Sequence, residues 1–181
     1  MTWTAISRAD FGNPVTDGDL VASATYNSQV KGNLEHLYSV PRCEVYRSGD
    51  QTITNDTVQT VTWDSETFDT ASIHSTVSNT GRLTLVRAGW WLTVALCKFS
   101  GSSTVGHRRG ILRVNGTDIV GQYHCEASPS GDTLFTVGAV VYTTTTTDYV
   151  ECRVYQNSGG NLAFEAGSAA ASRFSAVWLG A

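Results

Sequence analysis

Thr147–Ala181 reads TDYVECRVYQNSGGNLAFEAGSAAASRFSAVWLGA, and its two apolar runs decide the fold class. In Asp148–Gln156, Val150, Cys152 and Val154 alternate with Glu151, Arg153 and Tyr155, the period of a strand with two unlike faces. Asn157-Ser158-Gly159-Gly160 follows, residues that tolerate positive φ and mark a turn. The closing Arg173–Ala181 is a second strand, with Phe174, Ala176 and Trp178 on one side and Ser175, Val177 and Leu179 on the other. A strand apolar on both faces has to lie centrally, between its own sheet and some second surface. The chain therefore ends in the middle of a sheet and not at a frayed edge.

Working outward, the 181 residues suit one domain with an appendage. Apolar residues make up 41% and charged ones 15%, where about 25% charged is usual for a globular protein. So little charge predicts that part of the surface is covered by copies of the same chain. The net charge of -4, with no basic run longer than His107-Arg108-Arg109, excludes nucleic acid as a principal partner. No stretch approaches the roughly 18 apolar residues of a membrane span. The start, MTWTAISRADFGNP, lacks the basic and apolar regions of a secretion signal, which predicts synthesis and assembly in a cytoplasm. The four dispersed cysteines (Cys43, Cys97, Cys125 and Cys152) fall in strand-like runs and read as buried free thiols.

Residues 1–40 and 41–181 differ in pattern. The first nineteen read as an extended arm whose large apolar groups, Trp3, Ile6 and Phe11, are candidates for docking on another protein. One short helix is predicted over Ser23–Tyr38, with Tyr26, Val30, Leu34 and Leu37 on a single stripe and Pro41 ending it. From Cys43 onward short strands recur with Ser-, Thr- and Gly-rich breaks, the spacing of an all-β antiparallel sandwich or barrel. The predicted strands are Cys43–Ser48, Thr57–Trp63, Arg82–Val86, Trp90–Phe99, Arg109–Asn115, Ile119–Cys125, Thr133–Thr143, Tyr149–Gln156 and Arg173–Leu179. Asn115-Gly116 predicts a tight hairpin between two of them.

Four segments in order, Arg82–Trp91, Ile111–Gly116, Asp148–Val154 and Phe174–Gly180, resemble the two-sheet jelly roll of complement globular heads and tumour-necrosis-factor-like proteins. They look most like the bacteriophage versions of that domain, over about residues 42–181. Separately, Asp17-Gly-Asp-Leu-Val-Ala-Ser and Asn27–Leu34 resemble a segment near the start of phage structural proteins. Two positions depart from the pattern: Thr147 replaces a glycine, and Gly89-Trp90-Trp91 replaces Gly-x-Tyr. The resemblance implies ten strands, a homotrimer about a threefold axis, and a non-enzymatic virion appendage. Capsid decoration, a head fibre and a tail-fibre tip are all open. Its arm would engage capsid, portal or tail proteins. Candidate oligomer-interface residues are the helix stripe with Trp91, Tyr149, Tyr155 and Phe174.

No catalytic motif appears, and no cofactor is implied: there is no Gly-x-Ser-x-Gly, no His-Glu-x-x-His, and the four histidines are scattered. Asp64, Glu66 and Asp69 cluster as oxygen donors that could hold calcium, although a solvated loop capping its own backbone accounts for them better. Trp90 and Trp91 must face opposite ways, so one of them is outward, as an interface anchor or a sugar platform. The alternative function is therefore a lectin-like module for a host-surface glycan, with Trp63, Arg108 and Tyr123 as candidate ligand residues. A glycosidase ranks third, because no carboxylate pair is nominated.

Overall fold

The computed structural model describes residues 30, 31, 34, 38–102, 106–128, 131–166 and 172–181. The chain separates into a unit Met1–Val40 and a unit Pro41–Ala181. In the first, Val30, Lys31, Leu34 and Tyr38 have helical backbone and exposed side chains. Trp3, Ile6, Phe11, Tyr26 and Leu37, with the arm and the rest of the helix, lie outside the described residues.

The second unit is all β. In order its strands are β1 (Arg42–Tyr46), β2 (Gln51–Ile53), β3 (Gln59–Thr60), β4 (Ser65–Asp69), β5 (Arg82–Thr84), β6 (Gly89–Phe99), β7 (His107–Val114), β8 (Asp118–Glu126), β9 (Thr133–Thr143), β10 (Tyr149–Gln156), β11 (Leu162–Phe164) and β12 (Arg173–Gly180). They pair antiparallel in two sheets. One runs β2-β11-β6-β12-β1-β4, with β9 along the free edge of β6; the other runs β3-β10-β7-β8, with β5 beside β10. β12 lies between β6 and β1, so the chain does end inside a sheet. Strands β2, β4 and β11 escape the sequence reading, being short or polar on both sides, and Thr57–Trp63 contracts to two paired residues.

The core forms where the inward positions of both sheets meet. Trp63 lies 5.8 Å from Phe174 and 6.3 Å from Phe164 between ring centroids, and Phe99 stands edge-on to Phe164 at 5.4 Å. Val150, Cys152 and Val154 of β10 face them, all fully buried. Cys43, Cys97 and Cys152 are buried free thiols, with Cys97 Sγ 4.0 Å from Cys152 Sγ across the sandwich. Contact with Cys152 and then burial push the Cys97 thiol up, away from the reactive thiolate. Asn115 (φ 51°) and Gly116 (φ 74°) make the predicted hairpin between β7 and β8, both central residues left-handed.

Candidate functional site

Alternation along β6 points Gly89, Trp91, Thr93, Ala95, Cys97 and Phe99 into the sandwich and Trp90, Leu92, Val94, Leu96 and Lys98 outward. The outward set is therefore as apolar as the inward one. Register extends it into neighbouring strands. Leu92 stands opposite Val177 of β12 on one side and Val140 of β9 on the other, and Trp90 stands opposite Tyr142. Trp90 and Tyr142 pack with ring centroids 4.9 Å apart. Leu179 extends the patch beyond Val177. Leu92 is 37% exposed, Trp90 48%, Leu179 55%, Tyr142 56% and Val140 57%. Five large side chains left half in water on adjacent strands form a contiguous apolar surface, the mark of an interaction site. Covering it contributes about 25 cal/mol per Å².

The same face turns polar at its other end. Arg173 pairs with Glu44 at 2.8 Å, and Lys98 holds Asp132 at 2.9 Å and Glu165 at 2.5 Å. Hydrogen bonds donated to Glu165 and Asp132 raise the Lys98 ammonium, and the Lys98 bond holds Asp132 below its ordinary value. A surface apolar at one end and charged at the other gives a covering partner one orientation. A second apolar surface lies along the edge strand β8, where Ile119, Val120 and Tyr123 are exposed.

The structure corrects four of the expected site residues. Trp91 and Phe174 are fully buried in the core, so neither meets a second chain; Trp90 is the outward tryptophan. The sequence favours the wrong phase because both faces of β6 are apolar, and only the opposing sheet decides which is interior. Trp63 is likewise buried and offers no platform to a sugar. Arg108 is fully buried, with its guanidinium 5.8 Å from the Phe99 ring, and burial lowers its pKa. Tyr149 and Tyr155 are half-buried on the outer face of the other sheet, away from the apolar patch. Tyr123 is exposed, with its ring stacked 5.2 Å from Phe135. Val30 and Leu34 of the helix stripe are exposed.

The carboxylate cluster is used internally. Asp64 accepts the Ser48 amide at 2.7 Å, Glu66 meets His74 Nδ1 at 2.9 Å, and Asp69 accepts the amides of Ala71 and His74. Among the described residues no three histidine, cysteine or acidic groups are arranged to hold a metal ion. No helix among them is long and apolar enough to cross a membrane.

No protein-family model matches the sequence, and no curated protein does either. Solved structures do match. The globular domain of a zebrafish complement 1qA protein superposes with a TM-score of 0.50 at 16% identity, covering 78% of this chain and 98% of that one. Murine APRIL gives 0.56 at 10% identity, over 77% and 99%. The fold is that jelly roll. Eiger TNF from S. frugiperda agrees, at 0.50 and 17% identity over 78% and 94%. Identities this low establish architecture alone. None of the three is named as a phage protein, so they bear on the domain and not on its origin.

Proposed function

We propose that this chain is a non-enzymatic structural protein that assembles as a homotrimer through the outer face of its seven-stranded sheet. The apolar patch of Trp90, Leu92, Val140, Tyr142 and Leu179 carries the reading. A contact between this patch and a different surface of the next copy is head-to-tail and can close into a ring. The number three, and the placing of the protein in a phage virion with residues 1–40 as its anchor to capsid, portal or tail, follow from the resemblance of the sequence segments. Light scattering on the full chain tests the oligomer: a mass three times 19.5 kDa is expected. The double variant Leu92→Arg/Val140→Arg should remain folded and run as a monomer. A monomeric wild-type protein overturns the reading. Peptides of this chain in purified particles of the encoding phage test the virion role, and their absence removes it.

A further inference from the structure

The chain is acidic, yet the outer face of its five-stranded sheet is not. Arg82 of β5, Arg113 of β7 and Arg153 of β10 lie there around a single carboxylate, Glu151, and Arg109 of β7 lies further along. Register places Glu151 directly between Arg82 and Arg113. Arg153 Nε donates to Glu151 Oε1 at 2.6 Å. Among the described residues no carboxylate forms a salt bridge with Arg82, Arg109 or Arg113. Of the acids at the rim, Asp56 accepts the Tyr155 hydroxyl at 2.5 Å and Asp148 accepts from Asn115 at 2.9 Å, while Glu126 stands opposite His107 at the far end of β8. The Nε groups of Arg109 and Arg113 are buried with no hydrogen-bond partner among the described residues, and Arg113 Nη1 donates to the Gly116 carbonyl at 3.2 Å.

Two of these guanidinium groups lie over tyrosines, Arg82 on Tyr149 at 4.7 Å and Arg109 on Tyr155 at 5.1 Å. Stacking fixes a guanidinium while leaving its in-plane N–H fork for a planar oxyanion. Beside Arg82 the surface is hollowed. A depression of about 210 Å³ is lined by Asn79, Gly81, Arg82, Tyr149 and Glu151, and a neighbouring one of about 170 Å³ adds the hydroxyls of Ser72, Ser75, Ser78 and Thr84. Cationic forks alternate here with hydroxyl and amide groups. Two strand spacings separate Arg82 from Arg113, about 10 Å.

We propose that this face binds an acidic polysaccharide, the guanidinium groups taking its carboxylate or sulfate groups and the serine- and asparagine-lined hollows taking its hydroxyls. A nucleic acid fits less well, because the rings that could stack on bases already lie under arginines. The proposal complements the assembly reading above: if the seven-stranded sheet is covered in the oligomer, this is the sheet left facing out. The site itself lies within one chain and does not depend on that assembly.

Titration of the full-length protein with polygalacturonate, heparin, neutral dextran and a single-stranded oligonucleotide provides the test. Binding to polygalacturonate or heparin is expected to weaken as salt rises, and the preferred polymer separates carboxylate from sulfate recognition. Arg82→Gln and Arg113→Gln should each weaken binding about tenfold, whereas Arg47→Gln, in the loop after β1 and outside both sheet faces, should not. The same samples by light scattering report the oligomer independently, so loss of assembly and loss of the site are distinguished. Equal binding to dextran, tighter binding to the oligonucleotide, or arginine variants that bind like wild type would each overturn the proposal.

Discussion

Gly89 opens β6 at φ 120°, a region closed to side chains, and its missing Cβ leaves room for the last strand. A Cβ built there would lie 2.2 Å from the Gly180 carbonyl oxygen. Gly89→Ala should therefore strain the backbone and push the C-terminal strand outward, costing about 2 kcal/mol or more. For a domain of this size that is a fall of about 4–8 °C in melting temperature by calorimetry. The neighbouring tryptophans divide the labour that a single residue type suggested. Trp91 donates its indole N–H to the Arg87 carbonyl at 2.9 Å from inside the core, and Trp90 packs on Tyr142 outside. Both are tryptophan in a strand; only their parity separates a core residue from an interface residue.

At the scale of elements, the end of β6 is tied to the strand and loop beside it by Lys98, which bridges Asp132 and Glu165. Asp132 titrates below its ordinary value because the Lys98 hydrogen bond favours the carboxylate. A depressed folded-state value means a contribution fully present above the ordinary value of 3.8 and lost as pH falls below it. Thermal melts of wild type and Asp132→Asn should thus differ at neutral pH and converge as the solution is acidified below that value. The effect is small, because the pair is exposed and screened by salt. A gap that widened on acidification would contradict the assignment. The five-stranded sheet makes the same point about elements. Arg82, Arg109, Arg113 and Arg153 come from three strands, and no window of sequence shows them as a patch.

For the whole molecule, the division between Val40 and Pro41 frames a test of where assembly resides. If the seven-stranded sheet carries the interface, a chain beginning at Pro41 keeps the subunit number of the full chain in light scattering, with a mass three times that of the shorter chain. A monomer would move the clamp to the preceding forty residues and leave the apolar patch unexplained. The low charge of 15% belongs to this scale too. It predicts that some surface is covered by copies of the chain, without saying which surface.

Several features of the fold could be read from residues alone. Period-two alternation, the Asn115-Gly116 turn and the doubly apolar last strand determined an all-β antiparallel sandwich with its C-terminus inside a sheet. These signals are local, set by steric preference and by which neighbours share a face. The sequence could not determine which face of β6 is interior, because Trp91 with Phe99 and Trp90 with Leu92 are equally apolar. That choice depends on Phe164, Phe174 and Trp63 arriving from strands and loops far along the chain to fill one side. Packing, a property of two sheets together, put Trp91, Phe174, Trp63 and Arg108 inside and left Trp90, Leu92, Val140, Tyr142 and Leu179 facing out.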